Sequence, residues 1–137
     1  MASGKSQSLI SKLLNAVFNG ATYTSPATLY MALWTATLTN ASTGSTAGEA
    51  SYTGYARVAV TANTTNFATS TAGAAITNAT AITFGANAGV LNTVTFFAIC
   101  DASTAGNILY WGSVTSTAIN PADTPQVNIS GLTASEA

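Results

Sequence analysis

Bulky apolar residues in this chain fall into a few dense runs, separated by long stretches of Thr, Ser, Asn, Ala and Gly. The densest run is Val94–Gly112. Alternation along Val94–Cys100 places Val94, Phe96 and Cys100 on one set of positions and Phe97 and Ile99 on the other. A strand covered on one face would alternate apolar with polar, so this segment is predicted to be a central strand buried on both faces. The loop Asp101–Gly106 carries turn chemistry: Asp101 and Ser103 can accept backbone N–H bonds, and Gly106 can take positive φ. Ile108–Trp111 then returns as the second arm of a hairpin, around which the other strands are expected to pair.

The remaining runs read as shorter strands. Leu29–Trp34 sets Leu29, Met31 and Leu33 on one face and Tyr30 and Trp34 on the other. Gly54–Val60 is a strand with a glycine entry, Ala81–Phe84 a short one, and Gln126–Leu132 a half-exposed last one. Between them, residues 36–53 are rich in Gly, Ser and Thr and are expected to form a long, exposed, mobile loop. Residues 61–80 form a second such stretch, anchored by Phe67 and Ile76. Pro121 and Pro125 impose an irregular segment before the last strand. Short strands spaced by turn clusters predict an all-β fold, a β-sandwich or jelly-roll-like domain, with one N-terminal amphipathic helix.

That helix is read from Leu9, Ile10, Leu13, Leu14, Val17 and Phe18, which share one helical face. Ser6 or Ser8 can cap its start, and Asn19-Gly20 can end it. It either docks a partner or covers an end or edge of the sheet, and the second reading is the preferred one. The expected organisation is a flexible arm over residues 1–8, a single β-rich domain over 9–132 and a polar tail over 133–137. The opening residues superficially suggest a signal peptide, but Ser11, Lys12 and Asn15 interrupt the apolar run. No apolar run approaches the roughly 18 residues needed to span a bilayer. The Asn-X-Ser/Thr triplets at Asn40, Asn63, Asn78 and Asn128 are what chance produces in so Asn- and Thr-rich a chain.

Charge changes the picture more than hydropathy does. Only 5% of residues are charged, against about 25% in ordinary domains. Solubility therefore rests on hydroxyls and amides, and weak self-repulsion favours a life inside an assembly. Lys5, Lys12 and Arg57 are the only cations. That is too few for phosphate-backbone binding or for attachment to anionic lipid, so neither nucleic acid nor membrane is an expected partner.

The inventory also argues against an enzyme. The chain has no His and one Cys, which removes the usual zinc sites and the Ser-His and Cys-His nucleophiles. No cofactor or metal is expected. Cys100 reads as a small buried hydrophobe. The carboxylates are Glu49, Asp101, Asp123 and Glu136. An acid/base pair of Asp101 and Asp123 is conceivable, but both sit beside turn residues, where Asp normally caps backbone amides. Arg57 either binds an anion or, as the preferred reading, is satisfied by one carboxylate or a few carbonyls.

The strands in order, TLYMALWTA, GYARVAV, AITFGA and NTVTFFAICDASTAGNILYWGSVT, resemble a family of small tailed-bacteriophage virion proteins. The family pattern runs roughly YxALF, GYARVAV, AITFPA, WGTVTHFGIFDA, GGNLLFWGAL. Members are often labelled phage tail fibre proteins, and relatives look like capsid cement (decoration) proteins. The resemblance covers about residues 9–132. Phe96 stands where the family often has His, Ala98 where it has Gly, Cys100 where it has Phe, and Gly85 where it has Pro. Leu91 and Asn92 replace a Trp-Gly pair.

The resemblance implies a non-enzymatic virion protein. The first reading is a cement protein on the outer capsid surface, binding the assembled major capsid protein lattice and stabilising the head by mass action. As a homo-oligomer it would be a trimer more readily than a dimer. The alternatives are a tail-fibre or baseplate component contacting the host, and a carbohydrate-binding module using Tyr30, Trp34, Tyr110 and Trp111. Tyr23, Tyr52, Tyr55 and Arg57 are the candidate partner contacts.

Overall fold

The computed structural model describes residues 2–73 and 75–135; Glu136, one of the four carboxylates, lies outside them. The chain runs β1 (Ser3–Lys5), α1 (Gln7–Phe18), β2 (Thr28–Trp34), β3 (Val58–Thr61), β4 (Ile76–Thr77), β5 (Ile82–Thr83), β6 (Asn92–Cys100), β7 (Ile108–Ile119), β8 (Gln126–Val127) and β9 (Thr133–Ala134). The fold is all-β with one N-terminal helix. A five-stranded antiparallel sheet in the order β1-β7-β6-β2-β3 is its frame, and β4-β9 and β5-β8 form two small antiparallel ribbons.

The apolar run at Val94–Cys100 does lie at the centre of the sheet. Met31 pairs with Ile99 and Leu33 with Phe97 on one side, while Phe97 faces Gly112 and Ile99 faces Tyr110 on the other. Side chains on the two faces build separate cores. Met31, Leu33, Phe97 and Ile99 pack with Tyr52, Ile82 and Phe84 on the first face. Ala32, Trp34, Phe96, Ala98 and Cys100 pack with Leu38 and Ile108 on the second. Trp34, Met31, Ile82 and Ile108 are fully buried, each worth about 1.5–3 kcal/mol of transfer free energy.

One detail departs from strict alternation. Val94 belongs to the first face with Phe97 and Ile99, not to the set of Phe96 and Cys100. The register shifts between Val94 and Phe96: their partners on β7 are Thr117 and Ser113. Such a β-bulge breaks the two-residue period locally, and a period argument cannot see it.

Two stretches expected to be loose are built into the fold. Within the N-terminal arm, Ser3–Lys5 pairs with Gly112–Tyr110 as an edge strand. Residues 35–49 fold over the second face rather than standing free. Leu38 is buried there, and the Trp34 indole N–H donates to the Thr46 carbonyl at 3.1 Å. The strand expected from Gly54 begins only at Val58, because Gly54 has φ +98°, outside strand geometry.

Of the two cap candidates, Ser6 and Ser8, the helix uses Ser6. Ser6 Oγ accepts from the Leu9 N–H at 3.2 Å, and the Ser6 N–H donates to the Leu109 carbonyl at 3.0 Å. It lies against β7, yet Leu9 is its only buried residue. Leu14, Val17 and Phe18 point outward.

Candidate functional site

Chemistry-bearing side chains converge at one place, where residues 35–49, the β6–β7 loop and the segment before β3 meet over the second face. Arg57 sits there, 9% exposed, with its guanidinium 5.6 Å from the centre of the Trp34 ring. All of its N–H donors are used. Nε and Nη2 grip the two carboxylate oxygens of Glu49 at 2.8 and 2.9 Å. Nη1 donates to the carbonyls of Ala102 and Ala105 at 2.8 and 2.9 Å, and Nη2 also donates to the Gly44 carbonyl at 2.7 Å. The Glu49 hydrogen bonds and charge raise the Arg57 pKa further, so the group is a permanent cation.

Tyr55 completes the cluster. Its hydroxyl donates to Glu49 Oε1 and accepts from the Leu33 N–H, both at 3.0 Å. Burial pushes its pKa far up, and the Glu49 carboxylate adds to the shift. Tyr52 meets Tyr55 edge-to-face and donates to the Gly85 carbonyl at 3.0 Å. Burial raises the Cys100 pKa to about 12, with Arg57 pulling weakly the other way, so this thiol is neutral and inert at ordinary pH.

Every Arg57 donor is committed inside the chain, which leaves none to bind an anion. The arrangement is a clamp. The preferred reading of Arg57, one carboxylate and a few carbonyls, holds. Glu49 was the partner that sequence reasoning missed; its only signal was being the nearest carboxylate to the sole arginine. The Asp residues also take their structural reading. Asp101 accepts from the Asn107 backbone and side-chain N–H groups at 2.7 and 2.8 Å, and Asp123 accepts from the Asn120 N–H at 2.8 Å.

Of the four candidate contacts, three therefore face inward. Tyr52 and Arg57 are buried and Tyr55 is tied into the clamp, which takes all three away from a partner surface. They fill the core because each polar tip finds an internal hydrogen bond. Tyr23 is half-buried and takes no part in the clamp. It borders a groove of ≈ 690 Å³, walled also by Pro26, Leu29, Phe67, Leu109 and Tyr110. The aromatics considered for sugar stacking are largely consumed: Trp34 is fully buried, and Tyr30 and Trp111 pack on the second core.

The surface that remains carries few charges, Lys12 and Asp123 being exposed among the described residues. It suits recognition by packing and hydroxyl contacts rather than by charge. Residues 4–135 match the family described as Podophage GP4 fiber I protein gp80. No curated protein matches the chain.

Proposed function

The chain belongs to the podophage GP4 fibre I protein (gp80) family, and from that premise we propose that it is a small, non-enzymatic fibre subunit mounted on the phage particle. Membership itself makes it a structural protein of a bacteriophage virion. One observation carries the finer reading. The match runs from within β1 to just past β9, so the family's domain and this folded domain coincide, edge strand and helix included. The closed clamp around Arg57 suits a part whose work is to hold shape.

A second reading is retained on a specific observation. The described residues form one short domain without the repeats of a fibre shaft, and the chain carries very little charge. Those features also suit a cement protein spread over the outer capsid surface, seated on the major capsid protein. In either role the chain works as a homo-oligomer, a trimer before a dimer.

Immunogold electron microscopy of purified virions, with copy number from quantitative mass spectrometry, separates the two. A few copies, with gold at discrete fibre positions, supports the fibre reading. Hundreds of copies with gold over the whole head overturns it in favour of cement. Absence of the chain from virions overturns both.

A further inference from the structure

The chain holds a single Asn-Gly pair, Asn19-Gly20, and the fold sets it where helix α1 ends. Asn19 is the C-cap, at φ −111° and ψ 4°, and Gly20 follows in the left-handed region at φ +65°. Both are exposed, as are Ala21 and Thr22 beyond them. The bonds that hold this end run to one exposed residue, Asn15. Its carbonyl accepts from the Asn19 and Ala21 N–H groups at 3.0 and 3.1 Å, and its Oδ1 accepts from Asn19 Nδ2 at 2.9 Å. The Gly20 N–H has no acceptor among the described residues. A Cβ built on Gly20 would meet nothing within 4 Å.

An asparagine side chain so placed is open to attack from its own backbone. The nitrogen of the following residue can reach Cγ, and the two close a five-membered ring. A side chain on that following residue crowds the approach; glycine offers none and rotates freely. At Asn19 the attack requires a turn about ψ, which breaks the Ala21–Asn15 bond at the very end of the helix. Helix ends open in this way at almost no cost in free energy. Other asparagines are held differently. Asn87 is buried, with Nδ2 donating to the Val90 and Ile119 carbonyls at 2.8 and 2.9 Å and Oδ1 accepting from the Gly89 N–H at 2.8 Å. Asn78 is buried and bonded in the same manner.

We propose that Asn19 is a self-modification site, converted through Gly20 to a mixture of isoaspartate and aspartate without any enzyme. The Gly20 nitrogen gives up its proton and bonds to Asn19 Cγ; the Cγ–Nδ2 bond breaks and ammonia leaves. Water then opens the resulting succinimide at either carbonyl. One water is consumed, one ammonia is released, and the acid that forms ionises; nothing is oxidised or reduced. In a chain of formal net charge −1 the added negative charge is a sizeable change. It appears at the C-terminal end of α1, where the helix dipole disfavours a carboxylate. The isoaspartate form also lengthens the backbone by one methylene. Both effects loosen the last turn, beside the exposed Val17 and Phe18. The reaction needs no partner and is independent of where the chain sits in the virion.

Peptide mass mapping of the purified full chain, stored for weeks in warm, mildly alkaline buffer, tests this. Asn19 is expected to be the first asparagine to gain the mass of an amide turned acid, with isoaspartate outweighing aspartate. Gly20→Ala crowds the nucleophile and slows the conversion about tenfold or more. Asn19→Gln would need a six-membered ring, and the position then stays an amide. Emission from the buried Trp34 confirms the fold of each variant. An Asn19 that stays intact in the folded chain overturns the inference, whether or not the urea-unfolded chain converts. Aspartate without isoaspartate overturns it too, since water rather than Gly20 is then the nucleophile. So does earlier conversion at any other asparagine.

Discussion

Arg57 and Glu49 form a two-point ion pair, Nε to Oε1 at 2.8 Å and Nη2 to Oε2 at 2.9 Å, and the loops of the second face are fastened through it. The guanidinium reaches Gly44 on one loop and Ala102 and Ala105 on another. Removing it unties both. Arg57→Ala leaves Glu49 and three carbonyls without their donor, at a cost of about 3 kcal/mol, the lower end for a broken buried pair because Glu49 is partly exposed. Arg57→Lys fails nearly as badly, since an ammonium cannot span the carboxylate fork and the carbonyls together. Urea denaturation of the three proteins measures this; a loss below about 1 kcal/mol for Arg57→Ala contradicts the clamp.

The same junction sets a steric demand at Gly44. Its N–H donates to the Gly106 carbonyl at 3.0 Å, and a Cβ there would stand 1.8 Å from the Ala105 carbonyl oxygen. Backbone is in the way, so a side chain cannot simply rotate clear. Gly44→Ala is expected to cost about 2 kcal/mol or more by prying residues 35–49 off the β6–β7 loop. Hydrogen exchange then accelerates at Gly44 and near Thr46 while the β2–β6 ladder stays protected. Unchanged exchange at the junction disproves the close approach.

Asn78 plays a comparable part at the far end of the chain. It is buried; its side-chain amide donates to the Thr80 and Asn128 carbonyls at 2.9 and 2.8 Å, and its Oδ1 accepts from the Leu132 N–H at 2.9 Å. Asn78→Ala strands these buried groups, at a cost of about 2–3 kcal/mol. Rapid exchange of the Leu132 amide in the variant is the specific sign. Asn78→Asp, which keeps the acceptor and loses the donors, retains Leu132 protection but not full stability.

Alkaline pH is expected to destabilise this protein through groups held protonated in the fold. Burial raises the Cys100 pKa from 9.0 to about 12 and pushes Tyr55 above its usual 10.0 as well. Below pH 9 the folded and unfolded chains bind the same protons at these sites, and Tm is flat. Between pH 9 and about 12 the unfolded chain loses protons that the folded chain keeps, so stability falls as pH rises. Cys100→Ala lowers Tm at neutral pH by leaving a small cavity, yet shows a shallower alkaline decline. Thermal melts from pH 7 to 11 decide the matter. An equal decline in both proteins removes Cys100 from the account.

How far the chain could be read before folding depends on the range of the forces involved. The central strand at Val94–Cys100, the two-faced strand at Leu29–Trp34 and the helix capped by Ser6 are written locally, because side-chain periodicity and cap chemistry act over a few residues. The low charge and absence of His likewise restricted the chemistry before any fold was known. Tertiary structure decided the rest. Residues 36–53 look mobile because their anchors, Leu38, Glu49 and Tyr52, are single residues in polar surroundings. What fixes them is an arginine and a sheet face distant in sequence. The bulge that moves Val94 across the sheet belongs to the pairing of β6 with β7, which a local pattern does not contain. Tyr52, Tyr55 and Arg57 carry polar tips that suit an interface as well as a core, and only the partners across the fold choose between them. The outward stripe on α1 is the converse case: the sequence determined that the helix has an apolar face, and the packed domain, by covering only the Leu9 side, determined which part of that face stayed exposed.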